Sequence, residues 1–281
     1  MNQLVIYSEE ELKRIQNIEL KALKVIIAIC SQLKIEYFVI GGTALGAIRH
    51  NGFIPWDDDI DIGMTRHNYD RFANEAAVLL PKGYYLQTPY NDNINPYPYM
   101  KVRVDGTKFV EYSNRKLNVH QGIYVDIFPF DEVPDNELAG LKQFNTVRKL
   151  VNIFSLRQKP DLTYEPTRIR DKIKSIIRHI VHYMTKIIPY SFLLSKIELK
   201  MKQYNGTNQK GLECLFFPKI KTEYALKSTL YPLKLHRFED IDVYIPNDFD
   251  TYLTSHYGDY MKLPPESQRF GHKPYLVSFD E

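Results

Sequence analysis

In Trp56-Asp57-Asp58-Asp59-Ile60-Asp61-Ile62, carboxylates alternate with isoleucines, and few folds tolerate that pattern. Residues two apart on a strand share a face. Asp59 and Asp61 would therefore stand side by side while Ile60 and Ile62 enter a core. Two like charges that close repel, and burying them unpaired is costly. A divalent cation removes the cost, and Mg²⁺ favours carboxylates together with substrate phosphates. A further carboxylate, Asp126, sits between Val125 and Ile127 in the apolar run Gly122–Phe128, where it has no evident structural purpose. A solitary Asp-x-Asp more often caps a turn or pairs with a lysine. Here Gly41-Gly42-Thr43, the Asp-x-Asp strand and the later strand aspartate follow in order. That order favours a metal centre of Asp59, Asp61 and Asp126.

Gly41, Gly42 and Thr43 lie where a short strand, Tyr37–Ile40, turns into a helix over 44–50. Glycines let backbone N–H groups approach phosphate oxygens, and the helix directs its positive end there. By itself the triplet is equally a plain strand-to-helix turn. Upstream, Ser8 followed by Glu11 has the capping-box form. Leu12, Ile15, Leu23, Ile26, Cys30 and Leu33 recur behind it at helical spacing. Thr65 is expected to cap a helix running to about Leu80, with strands near 84–87, 100–104 and 122–128. Helical periodicity dominates 136–156, 167–188 and 192–204. Strand character returns at 235–238 and 242–245, before a helix over 247–256. The expected organisation is α/β (α+β). A catalytic core spans 1–134, a helical insertion 135–210, and a C-terminal unit packing on the core 211–281.

The 37 basic and 34 acidic residues leave a net charge of +3, too small to make nucleic acid the main partner. Cys30 and Cys214 show no paired spacing, so no disulfide framework or zinc site is expected. Met1 to Glu11 lacks a basic start followed by an apolar run, and no stretch of about 18 apolar residues occurs. The expected location is cytoplasmic, with peripheral contact at the inner face of the membrane as an extension.

The run Val39–Ile62, with Lys101-Val102-Arg103, Gly122–Pro129 and Tyr257–Pro265, resembles the LicD family of phosphotransferases, related to the fukutin proteins. The resemblance covers about 37–265, although 135–211 matches in texture only. It implies a nucleotidyltransferase-type mixed sheet and a CDP-activated donor such as CDP-choline. It also implies a glycan or lipid-linked glycan acceptor, and Mg²⁺ with Mn²⁺ as a substitute. Carried over by position, Asp59 and Asp61 are metal ligands, and Asp126 is a third ligand or the base for the acceptor's proton.

Lys101 and Arg103 alternate beside Asp126, and Arg49 precedes the aspartates; these cations suit phosphate neutralisation. Their ordinary alternative is a solvated strand face with a salt bridge. Tyr97 and Tyr99 offer an aromatic cage for a quaternary ammonium, or simple packing. Trp56 anchors its loop or stacks on a base, and Arg269 and His272 are considered as residues that close over the site. Along 167–202 an apolar stripe (Ile169, Ile173, Ile176, Ile180, Met184, Ile187) accompanies abundant Lys and Arg. The ordinary expectation is a helix with its stripe in the core and a solvated basic back; the alternative is a membrane-surface helix.

Overall fold

The computed structural model describes residues 7–91 and 93–279. Met1–Ile6, on which most of the expectation of no leader falls, lie outside them. Helix α1 (Glu9–Leu33) begins with the expected reciprocal cap: Ser8 Oγ accepts from Glu11 N at 3.2 Å, and Glu11 Oε2 accepts from Ser8 N at 2.7 Å. Its stripe of Ile15, Leu23, Ile26 and Cys30 is buried, with α1 lying against the central sheet.

That sheet comprises β1 (Phe38–Val39), β2 (Asp61–Thr65), β3 (Tyr84–Gln87), β4 (Met100–Val104) and β6 (Tyr124–Val133), in the order β1-β2-β6-β4-β3. The β2–β6 pair is parallel and the other neighbours are antiparallel, so the fold is a mixed sheet of the α/β kind. Helix α2 (Gly41–His50) connects β1 to the loop before β2, and α3 (Arg66–Glu75) follows β2. Thr65 occupies the N-cap of α3 without a side-chain cap bond, and the helix stops at Glu75 rather than near Leu80.

The far end of β6 pairs with β7 (Gly211–Glu213), and β7 with β8 (Tyr224–Leu226). Strand β5 (Thr107–Val110) joins β11 (Leu276–Phe279) in a separate ribbon. Helix α4 (Glu137–Gln158) packs with α6 (Tyr190–Met201) around a second core of Val147, Phe154, Leu193, Ile197 and Met201. Between them in sequence, α5 (Ile169–Thr185) lies along α4. Its Ile and Met stripe is exposed rather than buried, which overturns the expectation of a core-facing stripe. The C-terminal part adds α7 (Lys227–Leu230), the hairpin β9 (Lys234–Phe238) with β10 (Ile241–Ile245), and α8 (Phe249–Tyr257). Among the described residues no helix is long and apolar enough to cross a membrane.

Candidate active site

Strand register assembles the centre. Asp61 pairs with Asp126 across β2–β6, Asp126 with Lys101 across β6–β4, and Lys101 with Gln87 across β4–β3. One transverse row therefore reads Asp61, Asp126, Lys101, Gln87. Lys101 Nζ lies 2.5 Å from Asp126 Oδ1. Both members of the pair are buried. Lys101 and Arg103 thus occupy no solvated strand face. Arg103 donates from Nε to Gln87 Oε1 and from Nη1 to Gly122 O, each at 2.7 Å, tying β4 to β3 and to the segment that leads into β6.

Asp59 is not on the strand. β2 opens at Asp61, although Ile60 is buried and its carbonyl still accepts from Asp126 N at 2.9 Å. Ahead of that point Asp57 and Asp59 are hydrogen-bonded to each other. Asp58 accepts from the Tyr7 hydroxyl and from His272 N at 2.9 Å, and His272 Nδ1 lies 3.0 Å away. Asp58 therefore anchors the segment around His272. The same ring nitrogen is 3.8 Å from Asp59 Oδ2. His272 does close over the site, whereas Arg269 stacks over Trp56 at 5.4 Å.

The Gly41-Gly42-Thr43 turn brings carboxylates to the start of α2. A Cβ on Gly42 would stand 2.7 Å from Asp57 Oδ2, and Gly41, at φ +54°, leaves room for Glu223 and Asp61. Thr43 Oγ1 accepts from Asp61 N at 2.9 Å. The positive end of the helix thus faces negative charge. Arg49, in the last turn of α2, donates from Nη1 to Tyr260 O at 2.8 Å. It lines a cavity of about 480 Å³ with Trp56, Tyr257, Tyr260 and Lys262. Tyr257 bridges this cavity to the acidic cluster, its hydroxyl 3.9 Å from the Cβ position of Gly41. Tyr97 and Tyr99 line no free cage. Their rings surround Lys101, whose ammonium is 4.3 Å and 5.4 Å from their centroids and 3.4 Å from that of Tyr124.

Three acidic-site residues escaped sequence reasoning or were underweighted. Glu19 sits on the apolar stripe of α1, four residues from both Ile15 and Leu23, and is buried with Oε2 unpartnered. A lone glutamate at a core position of an otherwise apolar stripe was the available signal. Glu223 reaches Gly41 from just ahead of β8, with Tyr252 donating to it at 2.5 Å. No local pattern marks it. Asp58 stands in the aspartate run, but its contact with His272 spans 214 residues, beyond the reach of any local pattern.

Burial, then Asp59, Asp126 and Asp57, drive the Asp61 carboxyl well above its ordinary range. Burial likewise raises Asp59, with His272 opposing and Asp58 and Asp126 adding. Asp126 is raised by burial against the pull of Lys101. Asp57 is pushed to about 8 by burial and then by Asp59 and Asp58. Glu19 is raised by burial and by the same aspartates. Such crowding of oxygen donors, with an orphaned buried carboxylate oxygen beside it, fits a hard divalent cation. Asp58, Asp59 and His272 also bring ligand atoms within 4.8 Å of one another. Their hydrogen bond, however, holds His272 protonated to about 10 against burial, with Asp59 and Asp58 adding. His272 is thus held as a cationic neighbour of Asp58 and Asp59, and Asp61 and Asp126 offer further carboxylate oxygens along the row.

The domain described as LicD/FKTN/FKRP, nucleotidyltransferase domain matches residues 34–152, a span containing Asp59, Asp61 and Asp126. Residues 34–152 thus form a LicD-type nucleotidyltransferase domain. The lipopolysaccharide cholinephosphotransferase LicD of Haemophilus influenzae is 29% identical over 247 residues, 87% of this chain and 89% of that protein. The LicD likeness thus runs far beyond the nucleotidyltransferase domain. Ribitol 5-phosphate transferase FKRP of Mus musculus is 28% identical over 111 residues, which cover 37% of this chain but 19% of that protein. An uncharacterized Rickettsia prowazekii protein, RP689, is 40% identical over 149 residues, half of this chain. The LicD-type chain is a transferase of substituted phosphate groups, built on the same domain as the fukutin-related proteins.

Proposed function

We propose that this transferase moves phosphocholine from CDP-choline to a sugar hydroxyl of a cell-surface glycan precursor and releases CMP. The single observation that carries the reaction type is the row Asp61–Asp126–Lys101 with Asp59 beside it. Such a cluster is electrostatically unfavourable by itself and becomes favourable around a cation bound to phosphate. The choice of choline rests on extent. The likeness to the cholinephosphotransferase spans 87% of this chain, against 37% for the ribitol 5-phosphate transferase.

Asp59, Asp61 and Asp126 would hold Mg²⁺, or Mn²⁺ in its place. The ion would neutralise charge on the phosphate oxygens during in-line displacement. Asp126 would complete the ligand set or take the acceptor's proton: Lys101 favours its ionised form, while burial raises its carboxyl on balance, as a general base requires. Arg49 and Lys262 supply cations for the donor's diphosphate in the adjoining cavity, where Trp56 and Tyr257 offer ring faces for the base. The acceptor oxygen bonds to phosphorus, the bond to the CMP oxygen breaks, and CMP leaves. Incubation with CDP-choline, CDP-ribitol, CDP-glycerol and CDP-ethanolamine, together with membrane extract, tests the reading. CMP release fastest from CDP-choline is expected. Preference for CDP-ribitol selects the fukutin-related alternative, and pyrophosphate with nucleotide-labelled acceptor selects a true nucleotidyltransferase.

A further inference from the structure

Helix α5 is mounted with its polar side inward. Arg178 Nε donates to Lys159 O at 3.1 Å, His182 Nδ1 lies 3.0 Å from Leu156 O, and His179 Nε2 is 3.3 Å from Asp161 Oδ1. These bonds fix the rotation of the helix on α4. They leave Ile169, Ile176, Tyr183 and Ile187 facing outward at 79%, 61%, 69% and 85% exposure. Ile173, Ile180 and Met184 complete the ridge. At 1.5 Å per residue it runs for roughly 25 Å. A ridge of this size on a soluble surface ordinarily marks an interaction site.

The rims identify the occupant. Arg170, Lys172 and Lys174 are exposed along α5, and Lys186 just beyond its end. The helix's one carboxylate, Asp171, is turned to the Tyr164 hydroxyl at 3.2 Å and to Lys174. A second copy of the chain docking through the same ridge would bring like-charged rims together, a repulsive arrangement. An anionic bilayer offers the opposite: acyl boundary for the isoleucines and headgroup charge for long cationic side chains that can extend sideways. We infer that α5 is a membrane-surface helix that seats the chain on anionic phospholipid, with its axis in the plane of the interface. This holds whichever donor the active site takes.

Vesicle flotation of the full chain tests it, using phosphatidylcholine alone and phosphatidylcholine with about a third phosphatidylglycerol. The parent protein is expected to float with the anionic vesicles, to a degree that falls with added salt, and to stay behind with neutral ones. Joint Ile173→Ser, Ile176→Ser and Ile180→Ser should lower partitioning at least about tenfold. Joint Arg170→Gln, Lys172→Gln, Lys174→Gln and Lys186→Gln should do the same. Arg178 is left intact because it holds the helix in place. Both variants should keep the parent's Tm and its hydrolysis of the CDP donor. Three results overturn the inference: no flotation of the parent, undiminished flotation of both variants, or a parental dimer in sedimentation that the serine variant disperses.

Discussion

The acidic centre and the outer face of α5 reverse the usual arrangement in opposite senses. In the centre, charge is buried: Glu19, Asp58, Asp126 and Lys101 are all sequestered. On α5, isoleucines are exposed while Arg178 and His182 serve as internal fasteners. Neither arrangement lowers the free energy of the isolated chain, since crowding carboxylates away from water is costly and exposed apolar area forfeits about 25 cal/mol per Å². The second core, with Ile197 and Met201 between α4 and α6, shows what this sequence does when only stability is at stake. On the proposed function a cation and phosphate would relieve the first region, and on the inference drawn for α5 a lipid surface would relieve the second.

The sharpest way to break that comparison is to remove charge from the centre. Asp61→Asn or Asp59→Asn should lower turnover of the CDP donor on the order of 10²–10³-fold, the scale of losing one strong electrostatic stabiliser. Without metal, Asp61→Asn should unfold at the parent's Tm or above it, because repulsion from Asp59, Asp126 and Asp57 is relieved. The rise in Tm that Mg²⁺ gives the parent should shrink in the variant. EDTA should abolish parental activity, and Mg²⁺ or Mn²⁺ should restore it. Full activity after exhaustive chelation, or near-parental turnover by either variant, sinks the metal centre.

A paired substitution probes the apolar side. Ile197→Ala, in the second core, should cost about 3 kcal/mol in denaturant unfolding through lost burial and the cavity left behind. Ile180→Ala, on the exposed ridge, should change stability by less than about 0.5 kcal/mol. Equal costs at the two positions would mean that the ridge is buried in solution.

The smallest effect concerns Glu111. Burial pushes its carboxyl upward, but Lys159, Lys101 and the Tyr97 hydroxyl outweigh this and bring it to about 2. A depressed carboxyl adds stability that is fully present above its ordinary value of 4.5 and is lost as pH falls toward 2. With the side chain 33% exposed, solvent screening limits the contribution to roughly 1 kcal/mol. Glu111→Gln should therefore flatten the fall in stability between those pH values. An unchanged acid limb in urea melts would rule the pairing out.

The legible parts of this molecule were those encoded locally. The Ser8 and Glu11 cap, the strands at 84–87 and 100–104, and the period of α1 each depend on neighbours within a few residues. The order of Asp59, Asp61 and Asp126 was readable too, and parallel register then set Asp61 against Asp126. What escaped depends on distance or brevity. The three-residue strands β7 and β8 are too short to show a period. The β5–β11 ribbon joins segments far apart in the chain, and Glu223 reaches the site only through tertiary folding. The ridge on α5 was visible as a pattern, but periodicity reports which residues share a face and not which way that face points. Only the inward bonds of Arg178 and His182 decide that.

The clasp on Asp58 bears on the order in which the molecule can be assembled. Tyr7 and the loop bearing Asp58 leave the ribosome before His272, which follows Asp58 by 214 residues. Domains fold during synthesis from their N-terminal side, so the central sheet can form while the acidic loop still lacks its cationic cover. The cluster of carboxylates therefore stays open while the 214 residues between Asp58 and His272 are being made. The chain completes that cluster only when the segment of Gly271 and His272 swings back across residues laid down more than two hundred positions before.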